Sequence, residues 1–121
     1  MKLRMGTRGS ALARAQSDQL VEKLRAAVPG VEVEVVVITT SGDRFAAANP
    51  DAAPVQAEGT KGLFVKEIEE ALLAGKIDFA VHSAKDLPAA LAPGLTIGAY
   101  PEREDPRDLL IVRGGGTLNS L

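Results

Sequence analysis

The sequence predicts an α/β fold, a mainly parallel sheet flanked by helices. Three observations carry that reading. Short apolar runs alternate along the chain with stretches of helical period, in the order strand, helix, strand, helix, strand. The clearest run, Val31 to Thr39, opens by alternating valine with glutamate and closes as continuous Val-Val-Val-Ile, the pattern of a strand half-exposed at one end and covered on both faces at the other. A third run, Ile77 to Val81, empties directly into the polar stretch His82-Ser83-Ala84-Lys85-Asp86. In open α/β sheets that is where ligands bind, beyond the carboxyl ends of the strands.

Leu3 to Thr7 forms a first, low-contrast strand. Ser10 is placed to cap a helix from Ala11 to Val28, in which Leu12, Gln16, Leu20, Leu24 and Val28 recur every four residues, with Val21 and Ala27 widening the stripe. Pro29-Gly30 ends it. After the Val31 to Thr39 strand comes Thr40 to Thr60, rich in Ala, Pro, Asp, Asn and Gly and without sustained period, which reads as a long loop. Gly62 to Ala74 is expected as a helix, with Phe64, Ile68, Ala71 and Leu72 on one face and Gly75 as its stop. Ile77 to Val81 is the third strand and Leu95 to Tyr100 a fourth. Pro101 to Asp108 is a charged connector, and Leu109 to Val112 a short apolar strand before the turn Gly114-Gly115-Gly116.

Composition excludes several classes of function. The 121 residues carry a formal net charge of -2, which argues against non-specific nucleic-acid binding. There is no cysteine and a single histidine, so a disulfide framework, a thiolate nucleophile and a structural zinc site are all ruled out or improbable. The opening Met1-Lys2-Leu3-Arg4 leads into no apolar leader, and no run is long enough to span a membrane, which leads to the expectation of a cytoplasmic protein. Gly6-Thr7-Arg8-Gly9-Ser10 lacks the spacing of a dinucleotide loop, and Gly59-Thr60-Lys61-Gly62 lacks that of a phosphate-binding P-loop. His82 adjoins a strand and reads as a partly buried structural residue rather than a base.

What the order of elements does predict is a cleft. A parallel sheet gathers three loops at one edge: Thr7 to Ser10, Thr39 to Asp43, and Ser83 to Asp86. The first starts a helix, whose free N–H groups favour an anion, and Arg8 adds a fork suited to a carboxylate. Lys85 and Asp86 lie side by side in the third. The residues alone thus describe a carboxylate-binding cleft with an aspartate inside it.

Taken together, Gly6 to Gln16 (GTRGSALARAQ), Thr39 to Asp43 (TTSGD), Lys61 to Leu73 (KGLFVKEIEEALL), Asp78 to Pro88 (DFAVHSAKDLP) and Glu102 to Asp108 (EREDPRD) resemble the porphobilinogen deaminase (hydroxymethylbilane synthase) family in order and spacing. The resemblance implies a transferase of tetrapyrrole (porphyrin, haem) biosynthesis, which joins four porphobilinogen molecules into hydroxymethylbilane with release of ammonia. It implies a dipyrromethane primer attached to a cysteine, and a first lobe like that of periplasmic binding proteins, here residues 1–100, followed by a crossover and the start of a second lobe at 101–121. Carried over by motif, Asp86 is the catalytic carboxylate. Arg8, Ser10, Ser83 and Lys85 hold pyrrole carboxylates, Lys61 ends the active-site loop, and Phe64 lies near the pyrrole rings or in the core. No metal site is implied. A family lysine shortly before Lys61 is missing, since that stretch reads Val55-Gln56-Ala57-Glu58. With no cysteine to carry the primer, the chain is expected to be an N-terminal fragment, silent in catalysis on its own, that can self-associate through exposed strand edges. A non-catalytic lobe that binds small carboxylates is the alternative.

Overall fold

In the computed structural model, which describes residues 1–51 and 62–108, three parallel strands form one sheet in the order β2-β1-β3. The strands are β1 (Lys2–Thr7), β2 (Glu32–Val37) and β3 (Phe79–Ala80), and the helices are α1 (Ala11–Ala27), α2 (Ser41–Ala48) and α3 (Lys66–Leu73). A single 3₁₀ turn, Ala84–Asp86, follows β3. Strand β1 is central, aligned with β2 from Lys2↔Glu32 to Thr7↔Val37 and with β3 at Met5↔Phe79 and Gly6↔Ala80. The α/β class and the parallel sheet flanked by helices are as the alternating pattern implied.

Successive side chains of β1 point to opposite faces, and each face meets a different helix. On one face Thr7 is fully buried and accepts a 2.7 Å hydrogen bond from the equally buried Ser17 hydroxyl of α1. On the other, Gly6 lies under Ile77. A Cβ at Gly6 would sit 2.3 Å from the Ile77 Cδ1 atom, so the missing side chain is what lets Ile77 pack down. Ile68 and Ala71 of α3 close over Ile77, with Val36, Ile38, Leu72 and Ala80 packed around them. The apolar face of α1 is rotated slightly from the one expected. Ser17 and Val21 are its buried positions and Gln16, Leu20 and Leu24 are half-buried, while the two ends of the expected stripe, Leu12 and Val28, are exposed.

Four expectations need correction. The stretch expected as a loop from Thr40 contains helix α2, closed at its start by a reciprocal capping box between Thr40 and Asp43. Helix α3 begins at Lys66, not Gly62. Residues 62–65 form a turn, with the Lys66 N–H on the Gly62 carbonyl, which takes Phe64 off the helix. The third strand pairs over two residues only. Its start is held by Asp78, whose carboxylate accepts from the Arg4 backbone N–H at 2.7 Å and from the Arg4 guanidinium at 2.8 and 3.1 Å. Leu95 to Tyr100 is not a strand. It has no partner among the described residues, and an apolar run without a neighbouring strand to take its N–H and C=O groups stays irregular, with Tyr100 exposed. The run Leu109 to Val112 and the Gly114 to Gly116 turn lie outside the described residues. Among those described, no helix is long and apolar enough to cross a membrane.

Ile68 is fully buried at the centre of the α3 face. Ile68→Ala should destabilise the fold by about 2–5 kcal/mol, read from the urea midpoint. A change below about 0.5 kcal/mol would show that this face is not a packed core.

Candidate functional site

The strand order reverses at β1. From β1 the chain steps to β2 on one side, then crosses to β3 on the other, so the carboxyl end of β1 is a topological switch point. Arg8 is the first residue beyond it. Its backbone is fixed by the anchored Thr7 on one side and on the other by Ser10, the N-cap of α1, whose hydroxyl accepts from the Ala13 N–H at 3.3 Å. The loops after β2 and β3 end at the same edge and deliver Thr40–Asp43 and Ser83–Asp86.

Arg8 is the hub of what gathers there. Asp43 takes one edge of its guanidinium, with Nη2 to Oδ1 at 2.6 Å and Nε to the two carboxylate oxygens at 3.1 and 3.3 Å. Asp86 takes the other edge through a single contact, Nη1 to Oδ2 at 3.3 Å. The ring of Phe64 covers a face of the guanidinium, with its centroid 4.1 Å from Cζ, a cation–π contact. Phe64 reaches this place because residues 62–65 turn, and because Gly42 has no side chain. A Cβ at Gly42 would lie 2.5 to 2.8 Å from the ring atoms. The Gly42 N–H also donates to the Leu63 carbonyl at 2.8 Å, stitching the start of α2 to the Phe64 turn.

A second network backs the first. The Ser41 backbone N–H donates to Glu67 Oε1 at 2.8 Å, the Ser41 hydroxyl donates to the same oxygen, and Arg44 Nη2 reaches it at 3.1 Å. Burial pushes the Glu67 carboxyl up, but the Ser41 contacts and Arg44 outweigh it and hold it below its ordinary value. Helices α2 and α3 are thereby locked together behind Arg8.

Arg8, Ser10, Phe64, Ser83, Lys85 and Asp86 line one cleft of about 290 Å³, joined by Leu12, Gln16 and His82. Six of the seven residues singled out from sequence therefore share a hollow, and Lys61 lies outside the described residues. Ser83 donates to Gln16 Oε1 at 2.7 Å, tying the Asp86 turn to α1. Lys85 is exposed and has no ion-pair partner among the described residues. Burial, assisted by the Arg8 charge and opposed by Asp86, depresses the His82 imidazole, so it is neutral at pH 7. No group of three or more His, Asp or Glu side chains among the described residues is placed to hold a metal ion.

Asp43 and Gln16 are the participants that sequence reasoning did not single out. For Asp43 a signal was present: Thr40-x-x-Asp43 ahead of Arg44-Phe45-Ala46-Ala47-Ala48 is a capping box followed by helix formers. For Gln16 there was none, since a glutamine on an apolar stripe reads as an ordinary helix residue.

The family described as porphobilinogen deaminase, dipyromethane cofactor binding domain, matches residues 3–121. A porphobilinogen deaminase of Syntrophus aciditrophicus (strain SB) is 56% identical over 109 residues, 90% of this chain and 34% of the relative. That of Lachnospira eligens is 49% identical over 121 residues, all of this chain and 39% of the relative. A probable porphobilinogen deaminase of Pyrobaculum islandicum is 44% identical over the same span and 38% of its own length. The chain thus spans little more than a third of the relatives it matches.

Burial raises the Asp43 carboxyl, but hydrogen bonds from Arg8 and from the Thr40 hydroxyl and backbone outweigh it, and the group sits below its ordinary value of 3.8. A depressed carboxyl contributes stability that is fully present above its unfolded value and fades as pH falls through the folded one. Asp43→Asn should therefore melt at a lower temperature than the unaltered protein, by a constant margin from pH 7 to about 5, with the margin closing below about pH 4. A margin that persists unchanged to pH 2 would show that the Asp43 charge is not what stabilises this corner.

Proposed function

The chain belongs to the porphobilinogen deaminase family, and on that footing we propose that its cleft binds the carboxylates of porphobilinogen and supplies the carboxylate that assists loss of ammonia. One observation carries the reading. Arg8, Lys85 and Asp86, a carboxylate-binding pair and a single acid, line the same hollow at the carboxyl end of the central strand, beneath an aromatic ring.

The chemistry follows from the substrate class. Porphobilinogen carries two carboxylates, a pyrrole N–H and an aminomethyl group. The free N–H groups of the Arg8 guanidinium and the Lys85 ammonium, which has no ion-pair partner among the described residues, offer two positive points for those carboxylates, each contact worth about 1.5–3 kcal/mol. Cleavage of the carbon–nitrogen bond sends its electron pair out with ammonia and leaves a methylene-pyrrole cation. Asp86 beside the ring accepts the pyrrole N–H and opposes the positive charge. At about 4 Å and an effective dielectric of about 20, one such charge pair is worth about 4 kcal/mol. Realised only in the transition state, that is about a thousandfold in rate. Phe64 covers one face of the Arg8 guanidinium at the wall of the same cleft. The neutral His82 leaves the charge balance of the cleft to Arg8, Lys85, Asp43 and Asp86.

The same cationic points and aromatic wall suit the carboxylates of a dipyrromethane, with Arg8, Ser83 and Lys85 as its holders, although this sequence has no cysteine to attach it. When bound, that group supplies the end to which pyrroles are added. The same reading assigns residues 1–100 to a first lobe, Pro101 to Asp108 to the crossover from it, and the protein to the cytoplasm.

Asp86→Asn in the intact enzyme should keep the fold and the affinity for porphobilinogen while turnover to hydroxymethylbilane falls by about a thousandfold. Binding and turnover measured separately decide it. Substantial turnover in this variant would refute the role of Asp86, and loss of binding with unchanged turnover per bound substrate would make it a binding residue.

A further inference from the structure

We infer that Asp43 is a positioning residue for Arg8: it fixes one edge of the guanidinium through the capping box of α2, so that an entering carboxylate opens only the Arg8–Asp86 contact and releases Asp86 to the pyrrole ring. The inference rests on the function proposed above and extends it to a residue and a coupling that the family match does not assign.

The two carboxylates on Arg8 are held very differently. Asp43 is fixed from behind. Its Oδ2 accepts from the Thr40 hydroxyl at 2.6 Å and the Thr40 backbone N–H at 3.2 Å, while its own N–H donates to the Thr40 hydroxyl at 3.2 Å. That cap starts an eight-residue helix, whose first turn is bound in turn to Glu67 of α3. Asp86 stands on one 3₁₀ turn, and among the described residues its carboxylate has a single hydrogen bond, the 3.3 Å contact to Arg8.

Geometry then decides which contact yields. A guanidinium has five N–H groups. Asp43 occupies the Nε–H and one Nη2–H, Asp86 takes one Nη1–H and Phe64 covers a face, so the N–H groups left for a ligand are at the Nη1–Nη2 end, next to Asp86 and away from the edge Asp43 grips. A substrate carboxylate arriving there competes with the long single contact, not with the short multiple ones. Two carboxylates on one guanidinium also leave the group one negative charge in excess, so an anion arriving at Arg8 repels Asp86, the more loosely held of the two. Substrate capture and release of the acid become one event. Without a fixed far edge, Arg8 could swing and keep Asp86 while it took the substrate.

Asp43→Glu separates this role from helix capping. Glutamate is the more usual partner in a capping box, so the cap survives, but the longer arm cannot keep the same grip on Arg8. In the intact enzyme, Asp43→Glu should melt within about 2 °C of the unaltered protein. Its kcat should fall about tenfold or more, with KM changed by less than about threefold. In nuclear magnetic resonance spectra the Arg8 Nε–H should be slow to exchange in the unaltered protein, with or without porphobilinogen, and should lose that protection in Asp43→Glu. Unchanged kcat together with an unchanged, protected Nε–H would overturn the inference. If the unaltered enzyme makes no hydroxymethylbilane, the functional reading fails separately, and the Nε–H comparison still decides the role of Asp43. Should Asp43→Glu not fold, Asp43→Asn, which keeps the shape and an acceptor for Thr40, is read by the same resonance: loss of protection supports the role and retention overturns it.

Discussion

One guanidinium organises this structure. Arg8 stands at the end of the central strand and touches a side chain from each of the other segments that reach the cleft: Asp43 from α2, Phe64 from the turn before α3, and Asp86 from the turn after β3. None of these is near Arg8 in sequence. Their meeting depends on the strand order β2-β1-β3, which puts the carboxyl ends of all three strands at one edge with β1 between the other two. The burial of Thr7 and Ser17 then fixes where Arg8 begins, and the exclusion of a side chain at Gly42 fixes what can lie over it.

An ion cluster of this kind is poor at holding a fold and good at specifying a geometry. Its three charged side chains are each about one-fifth exposed, at 17%, 21% and 20%, so they give up much of their hydration. Desolvation offsets most of the Coulomb gain when charges leave water, and the net contribution to stability is small. Stability comes instead from Met5, Val65, Ile68 and Ile77, which are essentially shut off from solvent. What the cluster contributes is a positive group with defined free N–H groups at one end, one carboxylate held by several contacts, and a second held by a single long one. Lys85, exposed at the rim, supplies a second cation without entering the cluster.

Much of this was legible in the residues, for identifiable reasons. The Val31 to Thr39 run and the position of Ser10 are local signals, and local physics produced β2 and the start of α1 where they pointed. The cleft was legible because parallel topology alone dictates that Arg8 and the Lys85-Asp86 pair share an edge. Tertiary facts were not. The leucine period of α1 points to its inner side, but the fully buried position is Ser17, whose hydroxyl finds Thr7, a pairing that no local pattern signals. Phe64 has helical spacing with Ile68, yet the turn at 62–65 sends it to Arg8, a choice governed by the missing side chain at Gly42 far along the chain. Leu95 to Tyr100 has strand composition but no partner among the described residues, and pairing, not composition, makes a strand. Helix α2 has a legible capping box, but it is short and runs straight into Pro-, Asn- and Gly-rich residues whose composition hides its period.

The most direct measurement is a structure of the intact enzyme with porphobilinogen bound. A substrate carboxylate should lie against Arg8 and Lys85 and the pyrrole N–H within hydrogen-bond range of Asp86, with the Arg8–Asp86 contact broken and Arg8–Asp43 intact. A pyrrole seated away from this cleft, with Arg8 still bridging both aspartates as in the free protein, would contradict the account.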